Sequence, residues 1–163
     1  MKKTFLKNKK NIQFLIIGLG LIGGSVAKRL SKNGFEILAI EKNKSHLNHA
    51  KKSKILNGGL EKIDSTKKLF VIVALPPKIL LRNFDKYLNL FHKADFVTDC
   101  TSVKGSLINK IKKNKLESKF ILSHPIAGSE KSGFLNSNED LFRDKISIIS
   151  KPVSYTHLTL PTN

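Results

Sequence analysis

The stretch that decides the fold is IQFLIIGLGLIGG, residues 12–24. Its first part is almost entirely apolar, which predicts a buried strand over residues 12–17. The strand leads directly into Gly-x-Gly-x-x-Gly, formed by Gly18, Gly20 and Gly23. In dinucleotide-binding domains the first glycine permits a tight turn, the second lets the backbone approach a pyrophosphate, and the third lets the next helix pack closely on the sheet. The stretch therefore predicts a strand, a nucleotide-binding turn and a helix.

The residues after the turn have the apolar spacing of a helix over residues 21–33. Its first backbone N–H groups, those of Leu21 and Ile22 among them, have no partner within the helix and are expected to hold phosphate charge. The spacing also predicts one buried apolar stripe, formed by Ile22, Val26 and Leu30. The helix should therefore present its N-terminus to a nucleotide and its apolar side to the core.

An acidic residue ends the second predicted strand, FEILAIE, residues 35–41. Glu41 follows Gly18 by 23 positions, close to the spacing at which dinucleotide-binding domains place a carboxylate for the ribose hydroxyls. A carboxylate there accepts hydrogen bonds from both hydroxyls and repels a 2′-phosphate, so the sequence favours NAD over NADP. Lys42 and Lys44 beside it weaken that preference.

Strands and helices alternate along the rest of the chain. Further strands are predicted at residues 69–75, 94–100, 119–123 and 145–150, with a weaker one at 60–63. Helices are predicted from Ser45, from Pro76-Pro77 with an apolar stripe of Leu81, Phe84, Leu88 and Phe91, and over residues 103–114. This alternation predicts a Rossmann-type α/β fold with a doubly wound, mostly parallel sheet.

The chain divides into three segments. Residues 1–11 form a basic N-terminal extension, and residues 12–152 form one Rossmann domain that is expected to bind NAD(P). Residues 153–163, VSYTHLTLPTN, break the Lys- and Ile-rich texture of the preceding chain and resemble a translated vector scar. They are interpreted as a non-native tail. The 163 residues are enough for one domain with a substantial core.

The composition disfavours several classes of function. The formal net charge is +18, but only three of the thirty basic residues are arginines, and the lysines are spread along the whole chain. This pattern favours a solvated surface over nucleic-acid binding. No run approaches the ~20 apolar residues of a membrane span, the glycine pattern disfavours a signal peptide, and no Cys/His cluster has metal-ligand spacing. The single Cys100 excludes a disulfide framework, indicates a cytoplasmic protein, and is interpreted as a small buried apolar residue rather than a nucleophile.

Chemically useful side chains follow three successive strands. Leu75 and Pro76 end the central strand, DCTSVKG (residues 99–105) ends the next, and His124 ends the one after that. Because the carboxyl ends of parallel strands meet at one edge of a sheet, these residues should flank the nucleotide site. Ser102 offers a hydroxyl there, although a purely structural role stays open, with Thr101 or Ser102 as a helix N-cap.

Taken together, GLGLIGGS, Glu41, DCTSVKG and SHPIAGSEKSG resemble the prephenate/arogenate dehydrogenase family of tyrosine biosynthesis. The resemblance covers about residues 12–150 and implies NAD-dependent oxidative decarboxylation of prephenate or arogenate. It implies that His124 is the catalytic base and that Ser102 hydrogen-bonds the reacting centre. It also implies that Ser129 and Glu130 line the substrate pocket.

Members of that family continue into a C-terminal helical domain that closes the site and forms a homodimer, and this domain is absent from the sequence. The chain is therefore expected to be an N-terminal fragment that binds NAD weakly and turns over poorly alone, with a homodimer expected for the full-length protein. Two alternatives stay open. One is a nucleotide-sensing Rossmann module without chemistry, and the other is an NAD-dependent dehydrogenase of the β-hydroxyacid type.

Overall fold

A computed structural model describes residues 5–128 and 130–152. Six strands in this part of the chain form one sheet: β1 (Ile12–Ile17), β2 (Glu36–Ile40), β3 (Lys68–Val73), β4 (Phe96–Asp99), β5 (Phe120–Pro125) and β6 (Ser147–Ser150). Their order across the sheet is β2-β1-β3-β4-β5-β6. The first five strands run parallel, and β6 pairs with β5 in antiparallel orientation. The predicted mostly parallel sheet is confirmed.

The helices within the described residues are α1 (Leu21–Lys32), α2 (Lys44–Lys52), α3 (Pro77–Asn83), α4 (Leu88–Lys93) and α5 (Gly105–Lys113). Shorter 3₁₀ helices cover Phe5–Asn11, Leu60–Lys62, Phe84–Tyr87 and Phe134–Asn136. None of the helices in these ranges has the length and apolar character needed to cross a membrane.

Two apolar cores lie on opposite faces of the sheet. Ile16 of β1 belongs to the core that also buries Ala27 of α1 and Ala50 of α2. Its neighbours Leu15 and Ile17 belong to the other core, which packs against α3, α4 and α5. Because successive side chains of a strand point to opposite faces, this alternation shows that helices cover both sides of the sheet. The predicted doubly wound, Rossmann-type fold is therefore confirmed.

The carboxyl ends of β1 and β3 are where a ligand crevice is expected. From β1 the chain passes through α1 to β2 on one side, whereas β3 pairs with the other side of β1. At such a topological switch point the two connections leave the sheet in opposite directions and open a crevice between them. The glycine turn (residues 18–20) follows β1 and Leu75 follows β3, so both predicted loops lie at this crevice.

The helix α1 buries small residues most completely, beside the predicted apolar stripe. Ile22, Val26 and Leu30 are only half-buried. The buried positions are Gly23, Gly24, Ser25 and Ala27. A Cβ on Gly23 would lie 1.9 Å from the carbonyl oxygen of Gly18 and 3.0 Å from the Cβ of Ala74. Val26 and Leu30 pack against the same core as Ala27, so the predicted face is right, but the positions nearest the sheet have room for small side chains only.

Two other local predictions are wrong. Residues 60–63 form a 3₁₀ turn instead of a strand, and the Glu61 carboxylate in this turn accepts a hydrogen bond from the N–H of Gly59 at 2.9 Å. The helix predicted after Pro76-Pro77 is divided into α3, a 3₁₀ turn and α4. The break falls at Asn83, whose side-chain amide donates to the carbonyl oxygen of Ile79 at 2.8 Å and competes with the helical hydrogen bonds.

The close approach of α1 predicts a large effect of one methyl group. Gly23→Ala should lower the free energy of unfolding by about 3 kcal/mol, because the new Cβ would overlap the Gly18 carbonyl and force the backbone to move. Gly105→Ala is the matched control, since a Cβ there would meet no heavy atom within 4 Å, and it should change stability by less than about 1 kcal/mol. Urea denaturation followed by circular dichroism measures both. Equal effects of the two variants would contradict the packing described.

Candidate functional site

A cleft of about 380 Å³ opens at the carboxyl ends of β1, β3, β4 and β5. The loop after β5 forms part of its wall through Ser132 and Gly133. The cleft, here called the main cleft, brings together seven of the residues that the sequence predicts for the site: Gly20, Leu21, Ile22, Leu75, Pro76, Ser102 and His124. The glycine turn, two strand ends and the histidine therefore share one cleft, as expected from parallel strands.

A smaller cavity of about 190 Å³ lies beside the main cleft, and Leu75 lines both. Two further predicted residues, Gly18 and Glu41, line this cavity. Asn83 and Tyr87 also line it, and sequence reasoning missed them because they lie at the break between α3 and α4. The available signal was an Asn and a Tyr four residues apart beside the apolar stripe of that helix. Burial raises the pKa of the Tyr87 phenol, and the charge of Glu41 raises it further.

Glu41 holds the glycine turn in place. Its Oε2 accepts the N–H of Leu19 at 2.5 Å, and its Oε1 accepts the N–H of Asn43 at 2.7 Å. Gly18 has a φ of +95°, which L side chains rarely adopt, and its N–H donates to the carbonyl oxygen of Ile40 at 2.9 Å. Because a carboxylate oxygen can accept two hydrogen bonds, each oxygen of Glu41 retains capacity for a ligand donor.

The N-terminus of α1 is open toward the main cleft. Gly20 is the N-cap, and within the described residues no side chain caps the helix and no acidic residue lies in its first turn. A Cβ added to Gly20 would meet no heavy atom within 4 Å of it, so a ligand has room against the backbone. Open N–H groups and the helix dipole together favour an anionic group such as a phosphate.

His124 presents one ring nitrogen to the main cleft. It lies in β5, pairs with Ile148 of β6, and is half-buried. Its Nδ1 is enclosed and has no hydrogen-bond partner among the described residues. Nε2 is therefore the nitrogen that a ligand in the cleft can reach.

Ser102 is exposed in the loop between β4 and α5. The N-cap of α5 is Lys104, and no side-chain hydrogen bond caps this helix within the described part of the chain. The structural alternative that the sequence left open, Thr101 or Ser102 as an N-cap, is therefore wrong. The helix starts later than predicted, and this leaves the Ser102 hydroxyl at the main cleft.

A buried carboxylate organises the loop that carries Ser102. Asp99, at the end of β4, is fully buried. Its Oδ2 accepts the backbone N–H of Thr101 at 3.0 Å, the Thr101 hydroxyl and the Lys104 ammonium group. Sequence reasoning missed both members of this ion pair. The signal was an acid at a strand end with a lysine five residues later, a spacing that lets the two side chains pair across the loop.

The same ion pair connects β4 to β5. Lys104 also donates to the backbone carbonyl oxygen of Ser123, the residue before His124, at 2.6 Å. The Ser123 hydroxyl donates in turn to the backbone carbonyl oxygen of Asp99 at 2.6 Å. The loop with Ser102 and the strand with His124 are therefore held to each other by groups that do not enter the main cleft.

Cys100 lines the main cleft as a neutral thiol. Burial raises the pKa of this thiol to about 12, the charge of Asp99 also raises it, and Lys104 lowers it. The thiolate is the reactive form of cysteine, so a thiol with this pKa is a poor nucleophile near neutral pH. Cys100 is half-buried rather than buried as predicted, whereas its raised pKa agrees with the interpretation that it is not a nucleophile.

Of the two predicted substrate residues, the one that the structure describes does not line the main cleft. Glu130 is exposed on the loop after β5 and is not part of the lining. Ser129 lies outside the described residues.

Gly23, the last residue of the glycine motif, does not line either cavity but packs against Gly18 of the turn. Within residues 5–128 and 130–152, no group of three or more His, Cys, Asp or Glu side chains is placed to hold a metal ion.

The crevice at the switch point and the glycine turn beside it place the chain among Rossmann-type nucleotide-binding domains. Within that class, the family described as "Prephenate dehydrogenase, nucleotide-binding domain" matches residues 26–157. The chain belongs to this family.

Individual relatives agree with this membership. Prephenate dehydrogenase from Lactococcus lactis subsp. cremoris is 31% identical over 147 residues, which is 85% of this chain and 41% of that protein. Prephenate dehydrogenase from Aquifex aeolicus, in complex with hydroxyphenyl propionate and NAD+, has a TM-score of 0.68 at 30% identity and matches 85% of this chain and 50% of its own. Synechocystis arogenate dehydrogenase has a TM-score of 0.72 at 26% identity, with 89% and 51% covered. The chain spans about half the length of these relatives or less.

The ion pair between Asp99 and Lys104 predicts a stability effect. Lys104→Met should lower the free energy of unfolding by about 3 kcal/mol, because it leaves the Asp99 carboxylate buried without its cation. Lys110→Met is the matched control, since Lys110 pairs with the exposed Asp85 at 3.1 Å, and it should cost at most about 1 kcal/mol. Urea titration measures both. The double variant Asp99→Asn/Lys104→Met should be more stable than Lys104→Met alone, and a double variant that is less stable would contradict a charge effect.

The raised pKa of Cys100 predicts low reactivity. With a pKa of about 12, about one thiol in 10⁴ is ionised at pH 8, compared with about one in four for an unperturbed cysteine. Modification of the folded protein by a disulfide reagent at pH 8 should therefore be about 10³-fold slower than in denaturant. The rate should rise with pH through pH 10, where an ordinary thiol would already have levelled off. A plateau near pH 9 in the folded protein would show that the thiol is not perturbed.

Proposed function

We propose that this chain is the nucleotide-binding part of an NAD-dependent dehydrogenase that oxidises prephenate or arogenate in tyrosine biosynthesis. One observation carries the proposal, namely that His124 and the glycine turn at Gly20 line the same cleft. The reaction needs a proton acceptor and a hydride acceptor close to one carbon atom, and such a cleft can supply both. The family match and the named prephenate and arogenate dehydrogenases among the relatives support the same reaction.

The residues of the two cavities fit NAD. The open N-terminus of α1, at Gly20, Leu21 and Ile22, would hold the pyrophosphate. The Glu41 carboxylate would accept the ribose hydroxyls, since each of its oxygens retains capacity beyond its bond to the backbone. When bound, NAD supplies the hydride acceptor. The relative from Aquifex aeolicus has been solved with NAD+, which supports this cofactor here.

NADP is disfavoured by the same carboxylate. The side chain of Glu41 is tied to two backbone N–H groups, those of Leu19 and Asn43, so moving it away from a 2′-phosphate would break both bonds. Lys42 also lines the smaller cavity and would offset part of the repulsion. The balance favours NAD because these two hydrogen bonds hold the carboxylate at the turn.

His124 and Ser102 would have different roles toward the substrate, the first as proton acceptor and the second as hydrogen-bond donor. Oxidation of prephenate breaks the C–H and O–H bonds at C4 of its ring, so that the hydrogen leaves C4 with its electron pair and the hydroxyl proton must go to a base. Nε2 of His124 would take that proton, because imidazole accepts protons near neutral pH. Ser102 would donate a hydrogen bond to the oxygen as it becomes a carbonyl. Loss of the C1 carboxylate as CO₂ then moves the electron pair of the broken C–C bond through the ring to the C4 oxygen, which takes up a proton. The product is an aromatic phenol, so the reaction is essentially irreversible.

Three finer points belong to the same proposal. Prephenate and arogenate both stay candidates, because relatives with both names match the chain. Ser129 and Glu130 would contact the substrate from the loop after β5, as the family resemblance implies. A homodimer for the full-length protein follows from the same resemblance, and a cytoplasmic setting is supported by the single free cysteine.

The substitution His124→Asn tests the proposal in the protein encoded by the full reading frame, because the chain alone is expected to turn over poorly. Asparagine keeps a polar side chain but cannot accept the proton, so kcat for NADH formation from prephenate or arogenate should fall about 10³-fold. The Kd for NAD should change by less than about twofold and stay below the Kd for NADP, both measured by calorimetry. His92→Asn is the matched control, because His92 is exposed on α4 and lies outside the main cleft.

Each alternative has its own outcome. Equal rates for His124→Asn and wild-type protein would remove His124 from the mechanism. NAD binding without oxidation of either substrate by the full protein would support a nucleotide-sensing module. Oxidation of a β-hydroxyacid in place of both substrates would support the other class of dehydrogenase.

A further inference from the structure

The segment after β5 is fixed at both ends. Residues 126–128 and 130–133, here called the crossing loop, leave β5 next to His124 and line the main cleft through Ala127, Ser132 and Gly133. Residues 134–140, here called the strap, then lie on α1. The position of the crossing loop in the cleft wall therefore depends on where the strap is held.

The apolar part of the strap fits against a glycine. Phe134 is 2% exposed and belongs to the core under α1 and α2. A Cβ on Gly24 would lie 2.9 Å from the Phe134 ring and 2.8 Å from the Ser137 hydroxyl oxygen. Gly24 is not one of the three glycines of the nucleotide motif, so its need for space comes from the strap and not from the turn.

The polar part of the strap is bound by the next residue of α1. Ser25 is fully buried. Its hydroxyl donates to the carbonyl oxygen of Leu21 at 2.7 Å and accepts the backbone N–H of Asn138 at 2.9 Å. One buried hydroxyl thus connects the first turn of α1, which faces the main cleft, to the strap.

The following turns of α1 add contacts of decreasing burial. Lys28 donates to the carbonyl oxygen of Ser137 at 2.7 Å and lies over the Phe134 ring, 4.8 Å from its centroid. Arg29 pairs with Asp140 at 3.2 Å at the surface. Exposed pairs contribute little, so Gly24 and Ser25 are the positions on which the strap depends most.

We infer that Gly24 and Ser25 are positioning residues for the substrate side of the main cleft, holding the strap so that the crossing loop stays beside His124. This inference rests on the proposed function. Neither residue lines the main cleft, so their effect is indirect. They set the affinity for the substrate through the loop that carries Glu130, while the nucleotide contacts at Gly20 are left unchanged.

The test replaces Ser25 by Ala, which removes the hydroxyl and adds no bulk. Ser31→Ala is the matched control on the same helix, because Ser31 makes no side-chain hydrogen bond to the described strap residues. Two kinds of measurement are made on each protein. Hydrogen exchange reports the amide of Asn138 and the amides of the crossing loop, and calorimetry gives the Kd for NAD and the Kd for prephenate in the presence of NADH.

Ser25→Ala should speed exchange at Asn138 and in the crossing loop at least about tenfold, since it removes one buried hydrogen bond. The Kd for prephenate should rise about tenfold and the Kd for NAD by less than twofold, while Ser31→Ala changes none of these values. Gly24→Ala should give the same pattern by steric displacement of Phe134 and Ser137. If Ser25→Ala and Gly24→Ala change exchange and affinity in the same way, the cause is the position of the strap and not a chemical property of the Ser25 hydroxyl.

Three results would overturn the inference. Equal weakening of NAD and prephenate would indicate general damage to α1. Faster exchange at Asn138 with an unchanged Kd for prephenate would show that the strap does not position the substrate wall. Full-length wild-type protein that binds neither ligand would instead refute the proposed function, and the positioning role with it, even if the exchange data still show that Ser25 anchors the strap.

Discussion

The contact between α1 and the sheet at Gly23 is the constraint on which the rest of the structure depends. The helix lies so near the glycine turn that no side chain fits between them. This closeness places the first turn of α1 at the carboxyl ends of β1 and β3, where its N–H groups open into the main cleft. The next two residues of the same helix, Gly24 and Ser25, then contact the strap. One helix therefore supports two walls of the cleft, the one formed by the glycine turn and the one formed by the crossing loop.

Two carboxylates stabilise the loops around the cleft by accepting backbone N–H groups. Glu41 fixes the glycine turn through Leu19, and Asp99 fixes the loop of Ser102 through Thr101 and Lys104. In a chain with 30 basic and 12 acidic residues, such acids are few, and these two lie at strand ends that border the site. The environments differ, since Glu41 remains at a cavity wall while Asp99 is fully buried. The first can meet a ligand, and the second can only support the residues that do.

Local patterns in the sequence predict much of the fold. The apolar runs of β1, β3 and β5 are short, rich in Ile, Val, Leu and Phe, and bounded by Gly, Pro or polar residues, so each is readable without its neighbours. The residues that end these strands share one edge in any parallel sheet, which is why the meeting of Leu75, Ser102 and His124 could be predicted. The predictions failed where a side chain competes with the backbone, as at Asn83, or where packing distance selects residue size, as on α1.

By itself, the sequence determined the alternation of strands and helices, the glycine turn and the edge of the sheet at which polar residues gather, because these follow from spacing along one chain. The tertiary structure alone decided which residues of α1 are completely buried, the ion pair of Asp99 with Lys104 and its bond to Ser123, and the anchoring of the strap on Ser25. Each of these features joins residues on different elements or depends on differences of a few tenths of an ångström in the distance between elements. Such distances are set only when the helices and strands have packed together.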